Sequence, residues 1–230
     1  MRIAIFGANG PTGRLLTGLS AAAGHETFAV TRQPDAFAVD HPLVRVVGGD
    51  VLDRDDVEGV VNGSDVVLSA LGVPFGKDRV EVYSRGAEHI LASMRRHDVR
   101  RLVVVSSGAV TGQDEPTGGV IFNRVLQPYV MNKLGKTVYD DMRRMEALVS
   151  DSDVEWTILR PSGFYELPQV TDYSLTEARG PGRFTARIDL ADAMLRQVHD
   201  RRFVSWIGHV ITTESNPSKI SMMLREARKK

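Results

Sequence analysis

The chain has 230 residues, with 29 basic and 29 acidic side chains, 42% hydrophobic residues and no cysteine. This length fits one globular domain with a substantial core. The balanced charge gives no global field that would favour nucleic acid or an anionic membrane as a partner. The lack of cysteine excludes disulfides, thiolate metal sites and cysteine nucleophiles. Because the chain enters a strand without a charged leader and has no apolar stretch long enough to span a bilayer, we expect a cytoplasmic protein.

A glycine-rich turn follows the first predicted strand. Residues 3–6 form a short apolar run, and Gly7, Gly10 and Gly13 then recur at every third position before a helical pattern begins. This order is typical of the phosphate-binding corner of a dinucleotide fold. We expect Gly7 to allow a tight turn, Gly10 to admit a pyrophosphate and Gly13 to let the helix pack closely. The usual spacing has one residue fewer between the first two glycines, so an ordinary turn is the alternative.

The second predicted strand covers residues 26–31, and Arg32 follows it directly. An NAD-specific site would place Asp or Glu there, to accept a hydrogen bond from the ribose 2′-hydroxyl. A guanidinium instead suits bidentate contact with a 2′-phosphate, and Arg14 offers a second positive group. We therefore predict NADP(H) rather than NAD(H) as the preferred cofactor. The alternative is that Arg32 is an ordinary surface arginine.

The rest of the chain alternates strands and helices. Residues 113–134 are rich in Gly and Pro and predict a loop or lid, and residues 160–164 are expected to break the sixth strand. The alternation predicts an α/β fold, a single Rossmann-type domain with a doubly wound parallel sheet. We assign residues 1–165 to a cofactor-binding core and residues 166–230 to a small C-terminal, substrate-side elaboration. Further strands are predicted at 43–47, 65–69, 101–105 and 156–159, and helices at 53–61, 80–97 and 136–150.

Small or polar residues follow nearly every predicted strand. Ligands in doubly wound sheets bind beyond the carboxyl ends of the strands, so these residues are candidates for cofactor contact. Asp50 can accept from an adenine amino group, with Val51 covering the ring. Each residue alone is common in loops, but together they indicate a binding edge. The strand ends read Gly7-Ala8-Asn9-Gly10, Thr31-Arg32, Gly49-Asp50-Val51, Ala70-Leu71-Gly72, Ser106-Ser107-Gly108 and Pro161-Ser162-Gly163-Phe164.

These motifs resemble the atypical short-chain dehydrogenase/reductase superfamily, in its NmrA-like and flavin reductase (biliverdin reductase B)-like branch. The opening Gly7-Ala8-Asn9-Gly10-Pro11-Thr12-Gly13 is similar to that branch's G-A-T-G-x-T-G, with Asn9 in place of the usual threonine. The resemblance covers about the whole chain. Further similar segments are 49–51, 103–107, 156–161 and 187–191, the last resembling the segment before the family's final long helix.

The resemblance implies an NADP(H) site with Ser106, Ser107 and the 161–164 loop near the nicotinamide. Ser107 is the one candidate catalytic residue, and would hydrogen-bond the carboxamide or the acceptor. The alternative is a strand-end serine that caps the backbone. The motifs and the resemblance together give as cofactor-binding residues Gly7, Ala8, Asn9, Gly10, Pro11, Thr12, Gly13, Arg14, Arg32, Asp50, Val51, Ala70, Leu71, Gly72, Ser106, Ser107, Pro161, Ser162, Gly163 and Phe164.

Most short-chain reductases use a tyrosine four residues before a lysine that lowers the tyrosine pKa. Tyr129 and Lys133 have this spacing, but Lys133 lies 13 residues before Glu146 rather than about one helical turn. Tyr139 with Arg143 lies nearer the expected place, yet arginine stays protonated. The flavin reductase-like relatives manage without this pair, because hydride transfer to an electrophilic acceptor needs mainly orientation.

Other chemistry has weak support in the sequence. The six histidines show no pairing at helix spacing, so we expect no metal site. Ser107 lacks the glycine two positions earlier that a nucleophile elbow requires. Phe164, Tyr165 and Tyr173 are candidates for the wall of an acceptor pocket, with simple packing as the alternative.

Two functions remain. The first is an NADPH-dependent oxidoreductase that transfers a hydride to a flavin-, quinone- or carbonyl-like small molecule, with Ser107 orienting the reactants and solvent supplying the proton. The alternative is a catalytically weak, NADP(H)-sensing regulatory protein of NmrA type, which the lack of a well-placed tyrosine–lysine pair favours. An isomerase or epimerase is disfavoured, because such enzymes in the superfamily generally keep the pair. The sequence leaves the oligomeric state open, a homodimer included.

Overall fold

The computed structural model describes residues 1–76, 78–111, 135–177, 184–214 and 217. Strands β1 to β10 span Arg2–Phe6, Glu26–Thr31, Val44–Gly48, Val66–Ser69, Arg101–Val105, Glu155–Pro161, Gly163–Tyr165, Tyr173–Thr176, Phe184–Ala186 and Trp206–Thr212. Helices α1 to α5 span Pro11–Ala22, Arg54–Val61, Val82–Arg96, Lys136–Ser150 and Arg187–Arg196. Single 3₁₀ turns cover Pro34–Ala36, Gly108–Thr111 and Arg201–Phe203.

Within these residues, eight strands form one sheet in the order β3-β2-β1-β4-β5-β6-β10-β8. All neighbours run parallel except β8, which pairs antiparallel with β10. Strand β1 lies between β2 and β4, so the strand order reverses there, as it does at the ligand-binding edge of doubly wound sheets. Strands β7 and β9 form a separate two-stranded sheet. The predicted α/β, doubly wound single domain is confirmed.

Helices cover both faces of the main sheet. Alternate strand residues point to opposite faces, so Ala4 and Phe6 pack under α2, α3 and α4, whereas Ile3 and Ile5 pack under α1 and α5. Burial on both faces explains why the strands read as continuous apolar runs. In the part of the chain that the structure describes, no helix is long and apolar enough to cross a membrane.

The end of β6 differs from the prediction. The sequence predicts a break at residues 160–164, but Arg160 and Pro161 belong to the strand and pair with His209 and Val210 of β10. The Arg160 guanidinium also forms a two-fold ion pair with Glu146 of α4, at 2.9 and 2.6 Å. The break is therefore wrong for these two residues, because a neighbouring strand extends the pairing.

The C-terminal segment completes the main fold. Strands β8 and β10 extend the main sheet, and α5 packs against α1. The segment 187–191, which resembles the segment before the family's final long helix, forms the first half of α5. The predicted loop or lid at 113–134 lies outside the described residues.

Candidate cofactor-binding cleft

The glycine turn has backbone geometry that side chains would disrupt. Gly7 has φ +77°, and a Cβ there would lie 2.6 Å from the Ala70 carbonyl oxygen. A Cβ on Gly13 would lie 2.1 Å from the Gly7 carbonyl oxygen, so α1 packs directly on the turn. The Gly10 amide donates to Gly7 O at 3.1 Å. The turn thus closes on itself and leaves the first amides of α1 at the sheet edge.

A cleft of about 840 Å³ lies along this edge, near the upper end of the ~300–1,000 Å³ range of small-molecule sites. It follows the carboxyl ends of β1, β2, β4, β5 and β6, as expected for a doubly wound sheet. The predicted residues that line it are Gly7, Asn9, Gly10, Pro11, Thr12, Arg32, Asp50, Val51, Ala70, Leu71, Gly72, Ser106, Ser107, Pro161, Ser162 and Phe164.

Ala8, Gly13 and Gly163 are predicted residues that do not line the cleft. Ala8 is buried in the core, and its amide donates to Val30 O at 3.3 Å. Gly13 is buried beneath the turn, and Gly163 is exposed in β7. These positions support the cleft wall and do not touch its volume.

Arg14 also lies outside the cleft lining. Its guanidinium donates twice to the Asn9 side-chain oxygen, at 2.9 and 2.6 Å. A third, longer contact of 3.4 Å reaches the Ala36 carbonyl in the loop after β2. Arg14 therefore holds Asn9 and joins the glycine turn to that loop.

Arg32 marks one end of the cleft. It is exposed, and its guanidinium makes no hydrogen bond or ion pair with any residue in the described ranges. Both flanking residues, Thr31 and Gln33, also line the cleft, and neither is acidic. This end therefore presents a cation with unused donors and no carboxylate at the carboxyl end of β2, which suits a phosphate.

Asp50 and Val51 form the next part of the wall. One oxygen of Asp50 accepts from the Leu52 amide at 3.0 Å, while the other makes no hydrogen bond within the described chain. Val51 is buried, and its carbonyl accepts from His89 Nδ1 at 3.0 Å. His89 therefore fixes the backbone of this wall. In the described ranges no group of acidic or histidine side chains is arranged to hold a metal ion.

Three serines lie where β5 and β6 end. The hydroxyl oxygens of Ser106 and Ser162 are buried without a partner among the described residues. Ser107 Oγ accepts from the Ala109 amide at 3.2 Å, so it caps the turn that follows, as the structural alternative proposed. Its hydroxyl proton can still donate, because a serine oxygen accepts and donates at once. Orphaned hydroxyls beside a cleft fit a ligand with an amide group.

The far wall contains Tyr139, which the sequence analysis considered only as a catalytic candidate, and residues that it missed, among them Phe75. Phe75 is 53% exposed, and its ring centroid lies 5.7 Å from that of Tyr139, at a 54° tilt. Val73, Tyr83, Met142 and Arg187 join them in the lining. Phe75 lies three residues beyond Gly72, where the small residues that follow β4 end, so its place next to this strand end is the signal in the sequence that marks it.

A buried carboxylate holds this wall together. Asp141 of α4 is fully buried and accepts from the amides of Tyr83 and Ser84, at 2.9 and 3.3 Å, and from the Ser84 hydroxyl. It thus caps α3 from another helix. The Tyr83 hydroxyl in turn accepts from the Val73 amide at 3.2 Å, and burial raises the pKa of Tyr83.

Of the two candidate catalytic pairs, Tyr129 and Lys133 lie outside the described residues, whereas Tyr139 and Arg143 lie one turn apart on α4. Tyr139 lines the cleft. Arg143, however, donates to the Val110 carbonyl at 3.0 Å and to Asp140 at 2.5 Å. Arg143 is therefore engaged in structural contacts, and it cannot act as a base because a guanidinium does not deprotonate.

Of the three aromatic candidates for the acceptor pocket, Phe164 lines the cleft. Tyr165 and Tyr173 do not, and this expectation is corrected for both. The Tyr165 hydroxyl donates to the Glu214 carbonyl at 3.3 Å. The Tyr173 hydroxyl donates to Asp192 at 2.7 Å. Tyr165 packs with Ala186 and Ile188, and Tyr173 packs in the cluster that contains Leu190 and Met194 of α5.

Comparison with known proteins agrees with this geometry. An uncharacterised protein of Mycobacterium tuberculosis is 32% identical over 109 residues, and the match covers 47% of this chain and 12% of that protein. This chain therefore spans a small part of that relative's length. A Veillonella parvula short-chain dehydrogenase/reductase, solved in complex with NADP, superposes with a TM-score of 0.76 at 20% identity, covering 94% of this chain and 98% of that one.

An anaerobilin reductase of Escherichia coli superposes with a TM-score of 0.71 at 17% identity, covering 95% of this chain and 100% of that one. At these identities the structural likeness establishes the fold alone. The family model described as NAD(P)H-binding matches residues 7–201, which is most of the chain. The chain therefore belongs to the NAD(P)H-binding family.

Proposed function

We propose that the protein is an NADPH-dependent reductase that transfers a hydride to a flavin-, quinone- or carbonyl-like acceptor. The observation that carries this proposal is the joint lining of one cleft. The glycine turn, Arg32 and the strand-end serines line the same volume as the aromatic pair Phe75 and Tyr139. A nucleotide site that continues into an aromatic wall offers room for a second, planar molecule beside the cofactor.

The preference for NADPH rests on the end of β2. Arg32 has unused guanidinium donors, and neither neighbour in the lining is acidic. A 2′-phosphate can form bidentate hydrogen bonds with such a group. An NAD-preferring site would present a carboxylate there for the 2′-hydroxyl.

In this proposal the residues of the cleft orient the cofactor and the acceptor, and they do not themselves transfer the hydride or the proton. Bound NADPH supplies the hydride. The Ser107 hydroxyl would donate to the carboxamide or to the acceptor carbonyl, and the buried hydroxyls of Ser106 and Ser162 offer further hydrogen-bonding groups. Phe75 and Tyr139 would pack against a flat acceptor. Such orientation alone accelerates hydride transfer to an electrophilic acceptor, and solvent would supply the proton.

The test is NADPH oxidation, followed by absorbance, against a panel of flavins, quinones and reactive carbonyls. NADPH and NADH affinities are measured separately by titration, so that failure to bind and failure to react are distinguished. We expect turnover with at least one acceptor. Tight NADPH binding with no turnover across the panel would contradict the reductase proposal.

A regulatory role is the second candidate, and the contacts of Arg143 favour it. Because Val110 and Asp140 engage its guanidinium, Arg143 does not replace the lysine that activates tyrosine in many short-chain reductases. A protein that reads the cofactor state needs no such activation. Binding without turnover would support this role, and a search for a protein partner would follow.

A further inference from the structure

Arg187, the first residue of α5, contributes a second cation to the cleft lining. Its guanidinium lies 4.2 Å from the centroid of the Phe164 ring, and its Nε donates to Glu166 at 2.8 Å. The two Nη groups make no hydrogen bond within the described chain. The Arg187 side chain is 20% exposed and that of Glu166 is 62% exposed. The cation is thus shielded by an aromatic ring, while its acidic partner lies in solvent.

The backbone that carries Arg187 is fixed. Asp189, two residues further along the same helix, is fully buried and accepts from the hydroxyls of Thr171 and Thr212, at 2.9 and 2.7 Å. Thr212 of β10 also accepts from the Ala186 amide at 2.8 Å. These bonds tie the start of α5 to the main sheet. Only the Arg187 side chain is left to adjust to a ligand.

Arg187 lies on the same side of the cleft as the glycine turn. The Phe164 ring beneath it packs in the same hydrophobic cluster as Leu15 and Leu19 of α1. The first residues of that helix, Pro11 and Thr12, line the cleft with Arg187. Amides at a helix start attract phosphate groups, so a phosphate there would lie within the field of a shielded guanidinium.

The Glu166 ion pair does not oppose such binding strongly. Exposed ion pairs contribute little, because water screens them and two side chains must be ordered. A phosphate oxygen accepts a stronger, charge-assisted hydrogen bond in a site from which water is excluded. The cation–π contact keeps the guanidinium in place when Glu166 leaves.

We propose that Arg187 binds the pyrophosphate of the nicotinamide cofactor, exchanging Glu166 for phosphate oxygens. Arg32 then recognises the 2′-phosphate that distinguishes NADPH, whereas Arg187 binds the pyrophosphate that NADPH and NADH share. This assignment goes beyond the proposed function, since it holds for a reductase and for a cofactor sensor.

Titration of NADPH and NADH into the Arg187→Gln variant tests the assignment. We expect both dissociation constants to rise about tenfold or more and by similar factors, because both nucleotides lose the same charge-assisted contact. Glu166→Gln is the matched control. It removes the same ion pair but leaves the cation, so both dissociation constants should stay within about threefold of the parent or decrease. Melting temperatures of the ligand-free variants report any structural effect.

Four results would overturn the assignment. Equal weakening by Glu166→Gln would show that the ion pair matters for structure and not for binding. If only the NADPH dissociation constant rose in Arg187→Gln, Arg187 would be assigned to the 2′-phosphate instead. If the NADPH and NADH dissociation constants of Arg187→Gln stayed unchanged and KM rose only for acidic acceptors, Arg187 would be assigned to the acceptor. If Arg187→Gln does not fold, Arg187→Met decides: it keeps an unbranched side chain against the Phe164 ring but removes the charge, and unchanged affinity for both nucleotides would reject the proposal.

Discussion

The two ends of the cleft are built in different ways. The phosphate end comes from consecutive residues, a strand, a turn and a helix between Arg2 and Arg32, and backbone conformation determines its shape. The acceptor end joins separate segments through side chains: Asp141 caps α3 from α4, and the Tyr139 ring of α4 contacts the Phe75 ring from the loop after β4. The cofactor half therefore tolerates few changes of backbone, whereas the acceptor half depends on a small number of long-range side-chain contacts.

The largest expected effect is at the phosphate end. Gly13→Ala should destabilise the fold by about 4 kcal/mol, because the new Cβ would lie 2.1 Å from the Gly7 carbonyl and 2.7 Å from Ala8 Cα, both backbone atoms that cannot rotate away. Gly18→Ala, in the same helix, is the control. A Cβ there meets nothing within 4 Å, so it should stabilise by about 0.5–1 kcal/mol through helix propensity. Urea unfolding of both variants measures the difference, and equal effects would contradict the close packing.

The matching change at the acceptor end is Asp141→Ala. It leaves the Tyr83 and Ser84 amides without the acceptor that they have in the folded state, at an expected cost of about 3 kcal/mol. Because Tyr83 in turn supports Val73 of the cleft wall, acceptor affinity should fall more than NADPH affinity. Asp153→Ala, which removes an exposed partner of Arg95, should change little. If NADPH and acceptor affinities fell together, the two ends would not be independent.

Substitution of the exposed Arg32 tests the preference for NADPH over NADH with little effect on stability. Arg32→Gln should raise the NADPH dissociation constant about 10- to 100-fold, the range for losing a charge-assisted hydrogen bond, and leave NADH within about threefold. Arg45→Gln is the control, since Arg45 is exposed on β3 and pairs with Glu26 at 2.8 Å, outside the cleft lining. Equal loss of NADPH and NADH in the Arg32 variant would remove the assignment of Arg32 to the 2′-phosphate.

The smallest expected effect concerns proton transfer. Tyr139 lines the cleft, but Arg143 is engaged with Val110 and Asp140. With the best acceptor from the panel, Tyr139→Phe should therefore lower turnover less than about tenfold. General acid catalysis is worth about 100- to 10,000-fold. A loss in that range, together with a changed pH profile, would identify Tyr139 as the proton donor.

Strong local signals predicted several elements with their observed bounds: Glu26–Thr31, Arg101–Val105 and Lys136–Ser150. Apolar runs between turn residues, or a sustained helical period, leave few alternatives there. The start of α3 was less well predicted. The pattern indicates residue 80, but the helix begins at Val82, because Asp141, about 60 residues later in the chain, supplies its cap.

By itself the sequence determined the doubly wound fold, the glycine turn and the cation at the end of β2. Neighbouring residues encode these features through backbone conformation and strand–helix alternation. Which side chains complete the cleft depends on the packing of distant elements, since Phe75, Tyr139 and Arg187 come from segments far apart in the chain. Contacts between such segments depend on how the helices and sheets pack, and no local pattern records that packing. For the same reason, Arg14 carries the charge expected of a phosphate-binding residue, yet its hydrogen bonds go to Asn9 and Ala36.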